Sequence, residues 1–281
     1  MTTPPSRSSR SPLVLAVCKL AACTLVAFCS VSRSPSARAA DPGATLPATA
    51  LRPSATRAVQ LLVDAYPQQL KAGPGRSIVF SDGTSIPADG KRTPTSFDDR
   101  LANADLIDQL SIPYRAGCPV ARPVENDDPG RLRNEAFFTA MYGSTAKIVS
   151  SNLRNVDWFG QSIPMTSING VNEKLAAVAK ELAERPDTQA LRKFLTPSAG
   201  SFVWRSIAGT KLHSAHSFGI AIDVNTRYSD YWRWDGASKT PQYRNRIPCE
   251  IASVFERHGF IWGARWYHYD TMHFEYRPEL L

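Results

Sequence analysis

Alternation of hydrophobic and polar positions predicts two short strands in the last quarter of the chain. Residues 220–224 carry aliphatic side chains at every second position, with Asp223 on the opposite face. Residues 272–276 repeat the pattern, with His273 and Glu275 opposite the hydrophobic side chains. A two-residue repeat is typical of a strand with one buried face. We therefore expect both strands to present acidic and imidazole groups on their polar faces.

Helical periodicity predicts the elements that cover this sheet. Hydrophobic residues spaced three and four positions apart indicate helices over 55–66, 97–110 and 171–184. Pro248 suits the first turn of a further helix, and Gly259 suits the position just after its last turn.

Shorter segments complete the expected fold. Residues 78–86 predict a hairpin around an Asp-Gly turn, and strands are expected at Arg205 and over 260–263. The predicted fold class is α+β: a small antiparallel sheet that carries the site, packed against helices, with an N-terminal helical and hairpin extension.

The first 39 residues have the composition of a secretory signal peptide. They contain five basic and no acidic residues, an apolar run over 20–31 and small residues at Ala37 and Ala39. The run is too short to span a bilayer comfortably. We expect export to the periplasm or the extracellular space, with no transmembrane span in the mature chain. Cys23 lies in a segment that resembles a lipoprotein processing box, so lipid anchoring there is the alternative.

Composition then divides the mature chain of about 240 residues. Residues 40–53 are rich in Ala, Pro and Thr and are expected to form a flexible tether. Residues 54–130 form the N-terminal extension, and the loop 111–131 at its end is dense in Pro and Gly. Residues 131–281 form the domain that carries the candidate site.

Charge gives little reason to expect a nucleic-acid partner. The chain has 33 basic and 25 acidic residues, a net charge of +8 that falls to +3 once the signal peptide is removed. Basic residues do not cluster in the mature chain, as nucleic-acid binding would require. The oligomeric state is left open by the sequence.

Only two of the five cysteines lie outside the signal peptide, Cys118 and Cys249. An even number in an oxidising compartment favours a disulfide between them. Two separate buried thiols are the alternative.

Two histidines and two aspartates stand in contexts that suit a metal centre. His216 lies seven residues before Asp223, an odd spacing that requires a bend, and a glycine between them permits it. With His273 they form a set of two imidazoles and one carboxylate, which leaves the fourth position of a tetrahedral zinc ion open to water. Asp270, three residues before His273, is then free to act as a general base. Glu275 is the alternative base.

The pattern SxHxxGxAxD followed by DxxHFE resembles the zinc D-Ala-D-Ala carboxypeptidase and L-Ala-D-Glu endopeptidase family of peptidoglycan hydrolases. The resemblance is strong over 195–281 and weaker over 125–195. It implies that His216, Asp223 and His273 bind one zinc ion per chain.

The resemblance also assigns the remaining roles. It implies that Asp270 is the catalytic base and that Arg205 binds substrate and stabilises the transition state. Ser214 and His268 are further candidates for substrate contact, with a purely structural turn as the alternative for Ser214. Residues 226–246 combine aromatic and arginine side chains, which suits a cleft wall or ordinary surface packing.

The implied function is that of a secreted zinc metallopeptidase acting on peptidoglycan stem peptides, similar to D-Ala-D-Ala carboxypeptidases. L-Ala-D-Glu endopeptidase and D,D-dipeptidase activities share the same residues and remain open. A zinc-containing module that binds cell-wall peptide without cleaving it is the alternative outside the enzymes.

Overall fold

Helices and small antiparallel sheets alternate along the chain, as a computed structural model shows for residues 52–207, 210–234, 236 and 241–281. The helices are α1 (Ala55–Ala65), α2 (Phe97–Ala102), α3 (Leu106–Gln109), α4 (Glu135–Tyr142), α5 (Ala146–Ser151), α6 (Val171–Glu184), α7 (Thr188–Leu195) and α8 (Cys249–Arg257). The strands are β1 (Leu70–Gly73), β2 (Ser77–Phe80), β3 (Ser85–Pro87), β4 (Leu153–Trp158), β5 (Gln161–Thr166), β6 (Ala221–Asp223), β7 (Phe260–Trp262) and β8 (His273–Tyr276). The α+β prediction is confirmed. The predicted signal peptide, Cys23 and most of the tether lie outside the described residues.

The strands form three separate sheets, each with antiparallel pairing. The first has the order β1-β2-β3, the second is the β4-β5 hairpin, and the third has the order β6-β8-β7. In the third sheet β8 lies in the middle, between the two strands that precede it in the sequence. The strand that carries His273 is therefore hydrogen-bonded on both edges, which holds it firmly.

Helix α6 packs on the β4-β5 hairpin, and α8 packs on the third sheet. Leu175, Val178 and Leu182 form the fully buried stripe of α6. Phe255 in α8 stacks on Phe274 in β8, with ring centroids 3.9 Å apart. Burying a side chain of this kind stabilises a fold by about 1.5–3 kcal/mol. The packing fixes β8 from the face opposite to the candidate ligands.

Residues 54–130 pack against the C-terminal end of the chain. The Tyr66 hydroxyl donates to the Glu279 carboxylate at 2.6 Å, and both side chains are buried. The ring of Tyr66 also contacts Phe137, with centroids 5.8 Å apart. Within the described residues, no helix is long and apolar enough to cross a membrane.

One predicted helix is interrupted. In place of a single helix over 97–110, the structure has α2 and α3, separated by three residues. The Asp105 carboxylate caps α3 by accepting from the Asp108 N–H at 2.7 Å, and it also accepts from the Gly90 N–H at 3.1 Å. Side-chain hydrogen bonds of this kind compete with helix continuation. Leu101 and Phe97 are only partly buried as a result.

Arg205 was expected on a strand, and that prediction was wrong. Among the described residues no strand includes it, and the neighbouring Ser206 forms an isolated bridge with His213. The β4-β5 hairpin, in contrast, was not predicted. Its turn uses Phe159 with a φ of 53° and Gly160 with a φ of 90°, so it lacks the usual Asn-Gly signature.

Cys118 and Cys249 form a disulfide, with Cα atoms 5.9 Å apart. It ties the segment 111–131, which has no helix or strand, to the first residue of α8. Glu256 accepts from the Gly117 N–H at 2.9 Å, and Arg265 donates to the Gly117 carbonyl at 2.6 Å. The segment is therefore held by covalent and polar contacts in place of secondary structure.

Candidate active site

A tight turn sets the position of His216. The residue lies in a short 3-10 helix, Ala215–Phe218, and the Ser214 hydroxyl caps this helix by accepting from the His216 N–H at 3.4 Å. The helix ends at Gly219, whose φ of 65° lies in the left-handed region that favours glycine. A Cβ there would lie 2.6 Å from the Leu153 side chain. The predicted bend between the two motif residues is therefore present, and only glycine fits it.

Strand register brings Asp223 and His273 together. They are directly opposite partners in the antiparallel pair of β6 and β8. Opposed residues project from the same face of a sheet, with closely spaced Cβ atoms. Their neighbours Ile222 and Phe274, also paired, project to the other face and are fully buried in the core. The alternation in the sequence thus places both candidate ligands on one side.

Three donor atoms form a nearly equilateral triangle. His216 Nε2 lies 3.1 Å from His273 Nδ1 and 3.2 Å from Asp223 Oδ1, and the latter two atoms are 3.1 Å apart. The edge of a tetrahedron with metal–ligand bonds of about 2 Å is about 3.3 Å long. The cluster could therefore hold a metal ion, with one tetrahedral position left for another ligand.

The other nitrogen of each imidazole is also engaged. His216 Nδ1 lies 2.5 Å from the Ser201 carbonyl, and His273 Nε2 lies 3.0 Å from the Glu275 carboxylate. Hydrogen bonds on the outer nitrogen fix the orientation and tautomer of ligating histidines. Both rings are thus held with the remaining nitrogen directed at the cluster.

A buried chain of charges continues outward from Glu275. This carboxylate is fully buried and forms ion pairs with Arg133 and, at 2.9 Å, with Arg277. Arg277 in turn contacts Glu279 at 2.6 Å, and Glu279 accepts from the Tyr66 hydroxyl. The positive charges of Arg133 and Arg277 and the His273 hydrogen bond overcome the effect of burial and hold the pKa of Glu275 well below its usual range.

The donor atoms also control each other's protonation. Burial disfavours the charged form of Asp223, but His216 and His273 outweigh it and lower the pKa of that carboxyl far below its usual range. Burial likewise opposes charge on His273, yet hydrogen bonds to Asp223 and Glu275 raise its pKa to about 10. Without a metal ion, the cluster therefore holds a proton on His273 at neutral pH.

Asp270 lies beside this cluster: its backbone carbonyl accepts from the His273 N–H at 3.2 Å, but its carboxylate makes no hydrogen bond to the three donor atoms. Its backbone N–H donates to the Gly263 carbonyl at 3.0 Å, and its backbone pairs with Tyr231. The Oδ1 atom is buried and has no hydrogen-bond partner among the described residues. Burial and the negative charge of Asp223 raise the pKa of Asp270 to about 6. A carboxylate in this state can accept a proton near neutral pH.

Glu275 differs from Asp270 in each of these respects. Both Glu275 oxygens are occupied by Arg133, Arg277 and His273. The low pKa of Glu275 disfavours uptake of a proton. Glu275 also does not line the cavity that opens over the cluster.

A cavity of about 170 Å³ opens over the cluster. Asp270 and the three candidate ligands line it together with the other predicted site residues, Arg205, Ser214 and His268. The structure thus brings every predicted active-site side chain to one cavity. The remaining lining residues are Leu101, Arg131, Arg133, Ile207, Thr210, Leu212, Tyr231, Trp232, Arg233 and Trp266.

The side chains of Arg205 and His268 differ in how firmly the structure holds them. The Arg205 guanidinium is exposed and makes no hydrogen bond or ion pair within the described residues, while its backbone accepts from Ser214 N–H at 3.1 Å. His268 is fixed by the fully buried Asp128, whose carboxylate lies 2.6 Å from Nδ1 and accepts from the His268 backbone N–H at 2.9 Å. The imidazole therefore keeps Nε2 for a ligand.

The segment before α4 supports the candidate site with side chains that were not predicted from the sequence. Asp128 orients His268, Arg133 pairs with Glu275, and Arg131 lines the cavity. No periodicity or metal-binding spacing marks these residues. The only available signal was their charge within a Pro- and Gly-rich segment.

A family model described as D-alanyl-D-alanine carboxypeptidase matches residues 208–276. The matched segment contains all three candidate ligands and Asp270, and it agrees with the resemblance inferred from the motifs. Neither the curated proteins nor the solved structures include a significant match to the chain. The comparison indicates a peptidase with a possible metal site, over about the last quarter of the chain.

Proposed function

We propose that this chain is an exported zinc metallopeptidase that hydrolyses an amide bond in peptidoglycan stem peptides, with D-Ala-D-Ala carboxypeptidase action. The observation that carries the proposal is the triangle formed by His216, Asp223 and His273. Beside it in an open cavity lies Asp270, whose Oδ1 has no hydrogen-bond partner among the described residues. A purely structural metal site would be closed by a fourth protein ligand.

The donor set suits zinc. Two imidazole nitrogens and one carboxylate oxygen at tetrahedral separations match catalytic zinc sites, and the outer partners of His216 and His273 support their orientation. Bound zinc would supply a Lewis acid for the scissile carbonyl and would acidify a water molecule.

Asp270 supplies the proton transfers. Its free Oδ1 accepts the proton of the attacking water and then delivers it to the leaving amine. The raised pKa of Asp270, about 6, suits a group that must both gain and lose a proton. Glu275 is a poorer candidate because two arginines hold it in the ionised state.

Arg205, Ser214 and His268 bind the substrate. The Arg205 guanidinium, which has no partner in the part of the chain that the structure describes, can bind the terminal carboxylate of the peptide or stabilise the developing oxyanion. His268, fixed through Nδ1, offers Nε2 for a hydrogen bond. The Ser214 hydroxyl already caps the turn before His216, so its substrate role is an addition to a structural one.

The test is incubation of the mature protein with purified pentapeptide muropeptides, followed by mass spectrometry of the products. Loss of one terminal alanine is expected, and it should stop with a zinc chelator and in the Asp270→Asn variant. Cleavage between L-Ala and D-Glu, or hydrolysis of free D-Ala-D-Ala alone, would assign a different bond to the same residues. Unchanged muropeptides that nevertheless bind the protein would contradict an enzymatic role and identify a binding module.

A further inference from the structure

The wall of the active-site cavity carries more positive charge than the proposed reaction requires. Four arginines line it: Arg131, Arg133, Arg205 and Arg233. Arg133 is neutralised by its ion pair with Glu275. The two acidic residues of the lining, Asp223 and Asp270, have the roles of metal ligand and base. They are therefore not available to neutralise the other three arginines. The cavity is therefore suited to a substrate with more than one negative charge.

Arg131 has unused hydrogen-bonding capacity. Its only polar side-chain contact among the described residues is a long one, 3.5 Å to the Asp128 carboxylate. Both oxygens of Asp128 already accept shorter hydrogen bonds from His268, at 2.6 and 2.9 Å. The guanidinium lies over the Trp266 ring, 6.0 Å from its centroid, and the side chain is 19% exposed. Most of the five N–H donors of a guanidinium are thus left for a ligand.

Arg131 and Arg205 contact different ligand motifs of the chain. Arg205 is joined to the first ligand motif, since its carbonyl accepts from the Ser214 N–H. Arg131 is joined to the second, through Trp266. Both nevertheless line the same cavity, together with Tyr231. Burial raises the pKa of Tyr231, and the positive charges of Arg131 and Arg205 are among those that oppose this rise.

We propose that Arg131 is a specificity-determining residue that binds a second carboxylate of the substrate, on an acidic residue to the acyl side of the scissile bond. This inference rests on the proposed function, in which Arg205 binds the carboxylate of the leaving residue. The planar fork of an arginine, supported by an indole face, suits bidentate binding of a carboxylate. The preferred substrate is therefore a peptide with a carboxylate on each side of the bond that is cleaved.

The test compares two N-acetylated peptides that end in D-Ala-D-Ala and differ only in the preceding residue, glutamate or glutamine. We expect the zinc-loaded protein to favour the glutamate peptide by about 10- to 100-fold in kcat/KM, mainly through KM, as a charge-assisted hydrogen bond to a carboxylate allows. In Arg131→Gln this ratio should fall towards one, with the glutamine peptide little affected. Arg131→Lys, which keeps the charge but loses the fork, should give an intermediate ratio.

Arg115→Gln is the matched control, because Arg115 lies on the same segment and pairs at the surface with Asp127. It should keep the ratio of the unaltered protein. Equal kcat/KM for the two peptides in the unaltered protein, or the same ratio in Arg131→Gln, would overturn the inference while leaving the proposed function intact. If neither peptide is cleaved, the proposed function fails. The ratio of the two dissociation constants, measured by calorimetry, then decides the inference, and equal constants reject it.

Discussion

Replacing Asp270 by asparagine should lower the catalytic activity and raise the stability of the metal-free protein. The change keeps the side-chain shape and removes both the charge and the basicity. Since general-base catalysis contributes about 10²–10⁴-fold, turnover of a stem peptide should fall by that factor while zinc content stays near one per chain. No hydrogen bond is lost at Oδ1, because this atom has no partner among the described residues.

The expected gain in stability follows from the raised pKa of Asp270. Burial and the charge of Asp223 raise it from 3.8 to about 6 in the folded protein. Between about pH 4 and pH 6 the unfolded carboxyl ionises while the folded one keeps its proton, so the stability of the unaltered protein falls as pH rises through this window. At 1.36 kcal/mol per pKa unit, the cost above pH 6 is at most about 3 kcal/mol.

Asparagine avoids this cost, so metal-free Asp270→Asn should be more stable than the metal-free unaltered protein at pH 7.5. The increase in Tm should be at most about 6–12 °C for a chain of this size. Thermal melts after chelation, at pH 7.5 and at pH 4.5, are the assay, and the difference should shrink at the lower pH. The exposed Asp64→Asn serves as control. Equal stability at pH 7.5, or full activity of Asp270→Asn, would refute the assignment of a buried, high-pKa base.

Three other measurements test the site and the fold. His273→Ala should lose most bound zinc by elemental analysis while the surface variant His258→Ala keeps it, and full occupancy in His273→Ala would reject the ligand set. Because the pKa of His273 is about 10 without metal, zinc binding at pH 7.5 should release a proton, seen as a dependence of the calorimetric heat on the buffer's ionisation enthalpy; equal heats in all buffers would contradict this. Removing the Cys118–Cys249 bond, which spans 131 residues, should destabilise the protein by at most about 5 kcal/mol in denaturant titrations, and an unchanged midpoint would show that it adds nothing.

The sequence predicted those parts of the fold whose periodicity is regular. Helix α6 begins and ends where the spacing of Leu175, Val178 and Leu182 indicates, because one buried stripe determines the whole element. The helix predicted over 97–110 failed for a local reason. Asp105 caps a second helix and also accepts a hydrogen bond from the Gly90 N–H, 15 residues earlier in the sequence. A periodic pattern contains no information about such a contact.

The same distinction applies to the candidate site. His216, Asp223 and His273 could be proposed from the sequence because ligand chemistry and strand alternation mark them. Asp128 and Arg131 could not, since they lie in an irregular segment whose path is set by a disulfide and by contacts to the backbone of Gly117. The contact of Asp128 with His268 and the place of Arg131 in the cavity wall arise from the tertiary structure alone.

The buried chain of charges that starts at Glu275 limits how far the segment that carries the candidate site can be moved to another protein. Glu275, the outer partner of the candidate ligand His273, is anchored through Arg277 and Glu279 to Tyr66, which lies 213 residues earlier in the sequence than Glu279. A graft of the family-matched segment onto another scaffold would leave these buried groups without their donors, at about 1–3 kcal/mol for each unsatisfied group. Protein engineering that aims to transplant the candidate metal cluster would therefore have to carry Tyr66, directly after α1, along with the candidate ligands.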